Sequence, residues 1–280
     1  METMSYEGVA DTVELHNGAK MPWLGLGVYK AEEGEEVYNA VTAALKAGYR
    51  SIDTASFYGN EEGVGRAIRD SGIPRKEIFV TTKIWNDDQG YESTFRAAEA
   101  SLERLGLDYV DLLLIHWPVK GKYKDTWRAL EALYREGRAT SIGVSNFTSD
   151  HLEDLMKDAE VKPVVNQVEL HPRLTQKELL GYCEKNGIRV EAWSPIMRAK
   201  LFDNDVIQDL AQKHSKSPAQ IILRWHLQNG VVIIPKSVRE NRIRENADIF
   251  DFALDDEDMK RIDGLNKDER TGPDPDNFDF

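Results

Sequence analysis

Four side chains that can move protons lie close to short apolar segments in the first half of the chain. Asp53 and Tyr58 belong to the stretch SIDTASFY, Lys83 lies in EIFVTTKI, and His116 follows LLLI. A free tyrosine has a pKa of about 10 and is a poor acid at neutral pH. A lysine ammonium beside Tyr58 would lower that pKa, and a carboxylate would keep the lysine charged. A histidine could then bind the oxygen of a polarised carbonyl. We call these four residues the proton-donating group, and together they predict proton donation to a carbonyl.

The sequence lacks the residues that several other chemistries need. Its only cysteine is Cys183, it has no H-E-x-x-H motif, and His171 has no partner at ligand spacing, so no metal is expected. No G-x-S-x-G segment is present, which leaves acyl transfer without its nucleophile. Hydride addition to a carbonyl fits best, and it requires a cofactor. A Schiff-base aldolase with Lys83 as nucleophile is an alternative, although Asp53 would keep that lysine protonated.

Eight apolar segments of strand length alternate with charged amphipathic stretches of helix length. The strands are predicted in WLGLGV, YRSIDTA, EIFVTTKI, YVDLLLIHW, ATSIGVSNF, PVVNQVEL, IRVEAWSP and GVVIIPKS. The helices are predicted at 34–47, 61–70, 92–105, 124–137, 149–157, 176–186, 218–229 and 239–246, with an extra helix around 203–213. Because the strands recur at about thirty residues, the size of a βα unit, we predict an α/β fold, a (β/α)₈ TIM barrel, as a single domain over 1–280.

Two local motifs refine this topology. Asn17-Gly18 lies between two extended stretches and predicts an N-terminal β-hairpin whose two turn residues both have positive φ. The extra helix precedes the seventh barrel helix. An open doubly wound sheet is the alternative fold, but Gly25-Leu26-Gly27 is followed by Lys30 where a third glycine is needed. We therefore prefer the barrel, in which polar residues that end the strands face one mouth.

The composition limits the partners of the chain. Its 280 residues include 36 Lys and Arg against 49 Asp and Glu, giving a net charge of −13 at pH 7. This balance disfavours nucleic acid and anionic membranes. No apolar run approaches the length of a transmembrane helix, and the acidic stretch METMSYEGVADT does not resemble a secretory signal. We expect a cytoplasmic protein with a small-molecule substrate, and nothing in the sequence requires more than a monomer.

The stretch DTASFYGNEEGVGRAI at 53–68 resembles the aldo-keto reductase signature D-T-A-x-x-Y-x-N-E-x-x-x-G. The resemblance continues, in the order and spacing of that family, through LGLGVYK, TTKIW, LLLIHWP, GVSNF, VNQVELHP, EAWSP and IPKSVRENRIREN. It covers essentially the whole chain, and the tail GPDPDNFDF is similar to bacterial members that reduce glyoxal, methylglyoxal or 2,5-diketogluconate. The resemblance implies an NADPH-dependent reductase of aldehydes and ketones on a (β/α)₈ barrel whose hairpin closes the bottom.

The resemblance also implies roles for individual residues. Tyr58 matches the general acid, Lys83 and Asp53 the pair that lowers its pKa, and His116 the group that orients the carbonyl. The nicotinamide contacts match Ser145, Asn146, Gln167 and Trp193, the last of which lies where many members stack an aromatic ring. The adenosine and 2′-phosphate contacts match Lys236, Ser237, Arg242, Glu245 and Asn246. The substrate pocket matches Trp23, Trp85, His116 and Trp117.

Two departures from the family pattern affect the expected pocket. The segment SPIMRAKLF after Trp193 lacks the glycines that many relatives have in the loop over the pyrophosphate. The connection WPVKGKYKDTW, at 117–127, is short, which we expect to leave the pocket open and to favour small activated carbonyls over steroids. A barrel that binds NADPH as a sensor without turnover is a further alternative, which a turnover assay would distinguish.

Overall fold

The computed structural model describes residues 6–280, so residues 1–5 of the acidic N-terminal stretch lie outside the described part. A hairpin comes first, in which β1 (Thr12–Glu14) pairs antiparallel with β2 (Lys20–Pro22). The Asn17 side chain donates to Ser141 Oγ over 3.0 Å, just before a barrel strand begins. The hairpin therefore lies against the amino-terminal end of the barrel, as the resemblance implies.

The turn of this hairpin differs from the prediction. Leu15 N donates to the carbonyl of Ala19 and Gly18 N donates to the carbonyl of Leu15, each over 2.8 Å. Gly18 has a φ of +84°, whereas Asn17 is not among the described residues with positive φ. The expectation that both residues have positive φ is therefore wrong, because the loop is longer and needs only one left-handed residue. The side chain of Asn17 instead accepts from Ala19 N over 3.1 Å.

Eight parallel strands follow and lie side by side in chain order. They are β3 (Leu26–Gly27), β4 (Ser51–Asp53), β5 (Phe79–Ile84), β6 (Leu112–Ile115), β7 (Ile142–Ser145), β8 (Val165–Glu169), β9 (Arg189–Trp193) and β10 (Val232–Ile233). Gly25 N donates to the carbonyl of Ile233 over 2.9 Å, and Ile233 N donates to the carbonyl of Trp23 over 3.0 Å. The first and last strands thus meet, which closes the predicted (β/α)₈ barrel and leaves no sheet edge.

The helices lie where the sequence pattern predicts them, with boundaries within two residues. They are α1 (Glu35–Lys46), α2 (Glu61–Asp70), α3 (Tyr91–Leu105), α4 (Tyr123–Arg135), α5 (Ser149–Met156), α6 (Lys177–Lys185), α7 (Asp205–His214), α8 (Pro218–Gln228), α9 (Glu240–Ala247) and α10 (Asp256–Asp263). The extra helix is α7, which precedes the seventh barrel helix α8. Helix α10 was not predicted, although a reciprocal capping box between Asp255 and Asp258 marks its start.

The strands carry both apolar and polar buried side chains. Ile52, Val80 and Leu114 belong to the apolar core. Asp53 and Lys83, near the carboxyl ends of β4 and β5, are buried and polar, which costs free energy unless each group is hydrogen-bonded. Among residues 6–280 no helix is long and apolar enough to cross a membrane. That part of the chain also contains no cluster of His, Cys, Asp or Glu arranged to hold a metal ion.

Candidate active site

Lys83 is the centre of the polar end of the barrel. Its side chain is fully buried, and Nζ donates to Asp53 Oδ1 over 2.6 Å, to the carbonyl of Thr54 over 2.9 Å and to the Tyr58 hydroxyl over 3.2 Å. An ammonium has three hydrogens, and here each one has an acceptor. The lysine is therefore fixed in one position, with its charge shared between a carboxylate and a phenol.

Tyr58 reaches Lys83 because the chain turns sharply after β4. Asp53 is the last residue of β4, which pairs with β5 so that Asp53 lies opposite Thr81. A single turn of 3₁₀-helix, Ser56–Tyr58, follows directly and ends at the tyrosine. Ser56 Oγ donates to the carbonyl of Lys83 over 3.1 Å, which ties this turn to β5.

The Asn-Glu pair of the signature holds this turn in place. Asn60 is buried and its Nδ2 donates to the carbonyls of Val28 and Ala31, each over 3.0 Å. Glu61 is buried at the start of α2 and accepts from Thr82 Oγ1 over 2.8 Å and from the Arg104 guanidinium over 2.7 Å. These contacts connect the loop after β3, the strand β5 and the helix α3 around Tyr58. Asn60 and Glu61 therefore support the position of Tyr58 without belonging to the proton-donating group.

The pKa of Lys83 and the pKa of Tyr58 are both raised above their ordinary values, for different reasons. Burial alone would lower the pKa of Lys83, but the Asp53 carboxylate and the Tyr58 hydroxyl outweigh it and raise the pKa above its ordinary value. Burial raises the pKa of Tyr58 above 10, and the Lys83 ammonium offsets only part of that rise. Lys83 thus acts in the predicted direction, but burial outweighs it, so the pKa of Tyr58 is raised and not lowered as expected. Both groups remain protonated at neutral pH.

His116 faces the same place from the end of β6. Its ring lies edge-on to Tyr58 at 5.8 Å and to Trp85 at 5.1 Å, measured between ring centroids. Burial, helped by the charge on Lys83, lowers the pKa of His116 well below 6.5, so the imidazole is neutral at pH 7. A neutral imidazole carries one N–H and can donate it to an oxygen.

The predicted carboxamide contacts line the next three strands. Ser145 Oγ donates to the carbonyl of Gln167 over 2.8 Å, and Asn146 Nδ2 donates to the carbonyl of His116 over 2.9 Å. Trp193 Nε1 donates to Asn146 Oδ1 over 2.8 Å, which fixes the indole beside this group. Gln167 Nε2 donates to Asp53 Oδ2 over 2.7 Å and also to Glu191 Oε1. The structure therefore brings all four residues to the proton-donating group.

The loop after Trp193 has an unusual backbone. Ser194, Met197, Arg198 and Ala199 all have φ between +50° and +66°, a region that non-glycine residues seldom occupy. Such conformations cost free energy and tend to collect at functional sites. In this segment, residues other than glycine thus adopt the left-handed conformation that glycine adopts most readily.

The predicted adenosine and phosphate residues lie on the loop after β10 and on α9. Lys236 and Arg242 are exposed, and within residues 6–280 neither side chain pairs with an acidic group. Arg244, by contrast, pairs with Glu240 over 2.8 Å, in line with a structural role. The remaining predicted residues of this region are the buried Ser237 and Asn246 and the partly exposed Glu245.

Several aromatic rings lie beside His116 and form an aromatic wall. Trp85 stacks on Phe57 with centroids 3.8 Å apart, and Phe280 stacks parallel to Trp85 at 5.9 Å. Phe278 and Phe280 also contact Trp117, at 5.2 Å and 5.3 Å. Asn86 Nδ2 donates to the carbonyl of Phe280 over 3.0 Å. The C-terminal tail thus supplies rings where the short 117–127 connection was expected to leave the pocket open.

Trp23 is not part of this aromatic wall, so its predicted place in the substrate pocket is wrong. It precedes β3, is only 4% exposed, packs edge-on against Tyr6 at 5.5 Å and lies under the Arg189 guanidinium at 5.4 Å. Arg189 is the first residue of β9, so Trp23 lies at the amino-terminal end of the barrel. Tyr29, beyond the other end of β3, is the aromatic residue that approaches Tyr58, at 5.0 Å.

The chain is similar to known proteins over most of its length. Residues 23–267 match the aldo/keto reductase family. The chain is 65% identical over 270 residues to the glyoxal reductase of Bacillus subtilis (strain 168), which covers 96% of this chain and 98% of that protein. It is 47% identical over 270 residues to the methylglyoxal reductase DkgA of Escherichia coli (strain K12), covering 95% and 97%. A Gox0644 variant solved in complex with NADPH gives a TM-score of 0.92 at 47% identity, covering 96% and 98%.

A closed (β/α)₈ barrel with buried ionisable side chains at the carboxyl ends of its strands is the architecture of an enzyme, and the comparisons define its class as an oxidoreductase. The match over most of its length makes the assignment specific: the chain belongs to the aldo/keto reductase family.

Proposed function

We propose that this chain reduces aldehydes and ketones to alcohols with NADPH, and that small dicarbonyls such as glyoxal and methylglyoxal are its preferred substrates. The observation that carries the proposal is the Tyr58 phenol, which accepts a hydrogen bond from an ammonium that is paired with a buried carboxylate. A phenol held in this way can give its proton to an oxygen on which negative charge develops. The names of the glyoxal and methylglyoxal reductase relatives support the substrate class.

The residues around the proton-donating group fit a nicotinamide dinucleotide phosphate. Both hydrogens of Gln167 Nε2 are used within the protein, which leaves its Oε1 to accept from a carboxamide NH₂. Ser194 Oγ, directly after β9, is buried without a partner among the described residues, and a phosphate oxygen would satisfy it. Lys236 and Arg242 would hold the 2′-phosphate, since a guanidinium fork suits a phosphate. When bound, NADPH supplies the hydride.

The protein's own residues control the proton. Tyr58 donates its phenolic proton to the carbonyl oxygen, and the Lys83 ammonium stabilises the phenolate that this leaves. Asp53 keeps Lys83 charged and fixed. The neutral His116 ring, 5.8 Å from the Tyr58 ring, donates its N–H to the same oxygen and so orients the carbonyl. The buried setting strengthens each of these contacts relative to water.

The aromatic wall favours small, flat substrates. Trp85, Trp117 and Phe280 surround the space beside His116, so the rings of the C-terminal tail occupy room that a large ligand would need. A second carbonyl next to the first also lowers the intrinsic barrier to hydride addition. We therefore expect methylglyoxal to have a higher kcat/KM than a steroid ketone, and the reverse order would overturn the substrate assignment.

The alternative of Schiff-base catalysis conflicts with the state of Lys83. An amine nucleophile must be deprotonated, whereas the pKa of Lys83 is raised above its ordinary value by Asp53 and Tyr58 against the effect of burial. The test is NADPH oxidation across a panel of aldehydes, dicarbonyls and keto-sugars. The proposal predicts turnover that depends on both the carbonyl and NADPH. Covalent trapping of substrate on Lys83 by borohydride would favour the aldolase, and NADPH binding without turnover of any carbonyl would favour a sensor.

A further inference from the structure

Glu191 is a buried carboxyl group that the proposed mechanism leaves without a role. It lies on β9, is 1% exposed, and accepts a hydrogen bond from Gln167 Nε2. The same nitrogen donates to Asp53 Oδ2 over 2.7 Å, while Asp53 Oδ1 accepts from Lys83. One amide NH₂ therefore bridges two carboxyl groups that come from opposite sides of the barrel.

The result is a continuous hydrogen-bonded row across the lumen: Glu191, Gln167, Asp53, Lys83 and Tyr58. Asp53 has a cation at 2.6 Å, but Glu191 has none within hydrogen-bond distance in the described chain. When two carboxyl groups share a buried site, the proton resides on the one that lacks a cation. In this row that residue is Glu191.

The surroundings of Glu191 contain few other charges. Asp53 on β4 and Lys83 on β5 act on it from across the lumen, whereas its register neighbour on β10 is the apolar Val232. Arg189, two residues earlier on β9, is turned to the other end of the barrel over Trp23. Burial, followed by the charge of Asp53, raises the pKa of Glu191 to about 8, against the opposing effects of Gln167 and Lys83.

A second buried glutamate on the neighbouring strand behaves differently. Glu169 on β8 accepts hydrogen bonds from His171 over 2.9 Å and from Gly272 N over 3.0 Å. Burial alone would raise the pKa of Glu169, but the hydrogen bonds from His171, Thr271 and Gly272 lower it to about 2. Its charge is therefore constant across the neutral range.

We propose that Glu191 is a positioning residue of the proposed reductase, which holds Asp53 through Gln167 and, by losing its proton, makes Tyr58 a weaker acid. The inference rests on the proposed function. The sign follows from charge: ionised Glu191 adds a second negative charge to the row, which disfavours the phenolate that Tyr58 becomes as it donates its proton. Reduction therefore slows as pH rises through the neutral range, while Tyr58 itself is still protonated.

The test compares the unmodified chain with Glu191→Gln, which keeps an acceptor for Gln167 but cannot ionise. At saturating NADPH and methylglyoxal, kcat of the unmodified chain should fall roughly threefold to tenfold between pH 6 and pH 9. The Glu191→Gln variant should lose that step and keep the kcat of the low-pH form. Glu169→Gln is the matched control and should retain the step. Superimposable profiles for the unmodified chain and Glu191→Gln would overturn the proposal.

A measurement that needs no turnover separates this proposal from the proposed function. In protein labelled with ¹³C at the Asp and Glu carboxyl groups, one Glu resonance should titrate in the neutral range. The Asp53 resonance should shift with the same midpoint, and both changes should be absent in Glu191→Gln. If no Glu carboxyl titrates above pH 6, or if Asp53 does not follow it, the proposal is wrong whatever the enzyme does. If the titrations occur but no carbonyl is reduced, the proposed function fails instead.

Discussion

The two ends of the candidate cofactor site differ in how deeply their cations are buried and in whether those cations have partners. At the reacting end Lys83 is fully buried and its three hydrogens each have an acceptor. At the phosphate end Lys236 and Arg242 are exposed and have no acidic partner in the described chain. Groups fixed in a dry interior act with little reorganisation, whereas exposed cations are screened by salt. We therefore expect the barrel interior to govern the chemistry, and the exposed cations after β10 and on α9 to govern the choice of cofactor.

The largest effect is expected from removing the proton donor. Tyr58→Phe deletes the hydroxyl but leaves the cofactor contacts on other strands unchanged. General acid catalysis typically contributes about 10²–10⁴-fold, and we expect a loss of kcat at the top of that range. Steady-state kinetics with methylglyoxal would measure it. A variant that keeps more than a tenth of the original kcat would exclude Tyr58 as the acid.

A slightly smaller loss is expected from Lys83→Met. The substitution keeps an unbranched, flexible side chain that is one atom shorter, but it removes the charge that would stabilise the Tyr58 phenolate, and it leaves Asp53 buried without a cation. Loss of a buried partner typically costs about 3–5 kcal/mol, so the free energy of unfolding should be measured beside kcat. If the folded variant retains its kcat, the charge of Lys83 does not assist Tyr58.

A substitution at the phosphate end should change the affinity for the cofactor and leave the chemical step unchanged. Charge-assisted hydrogen bonds contribute roughly 1.5–3 kcal/mol each, and 1.4 kcal/mol corresponds to about tenfold. We expect Arg242→Ala to raise the KM for NADPH about tenfold or more and to leave the KM for NADH almost unchanged. Arg244→Ala is the matched control, because Arg244 already pairs with Glu240. If Arg242→Ala weakens both cofactors equally, the 2′-phosphate site lies elsewhere.

The smallest effect is expected from the aromatic wall. Phe280→Ala removes a ring that stacks parallel to Trp85 but is itself 48% exposed. An aromatic pair contributes about 0.5–1.5 kcal/mol, so the KM for methylglyoxal should rise about twofold to tenfold with kcat nearly unchanged. Kinetics at fixed saturating NADPH would check this. A large fall in kcat would show instead that the tail positions His116.

The fold could be predicted because each barrel unit repeats a local signal. Apolar runs, amphipathic stretches and their spacing fixed the eight strands and the helices up to α9. Helix α10 was missed because its acidic sequence, DEDMKRID, lacks an apolar stripe, although Asp255 and Asp258 provide a capping signal. The hairpin was predicted correctly, but its turn depends on loop length, which the Asn-Gly pair does not specify.

Only some residues of the candidate site could be predicted from the sequence. Asp53 and Lys83 lie at the carboxyl ends of their strands, and Tyr58 and His116 follow strands, so their convergence could be inferred from the barrel itself. Trp23 was misplaced because the run WLGLGV spans both ends of β3, and the sequence does not say which aromatic residue reaches the mouth. Phe280 and Glu191 were missed because their contacts join distant parts of the chain: a tail to β5, and β9 to β4 through Gln167.

The most direct test of the difference between the reacting end and the phosphate end measures NADPH affinity and the single-turnover rate in the same two variants. Equilibrium titration gives the Kd for NADPH, and rapid mixing of the saturated protein with methylglyoxal gives the rate. Tyr58→Phe should lose the rate and keep its Kd within about twofold, whereas Arg242→Ala should lose affinity about tenfold and keep the rate at saturation. The account would be contradicted if Tyr58→Phe bound NADPH tenfold more weakly, or if saturated Arg242→Ala lost the rate.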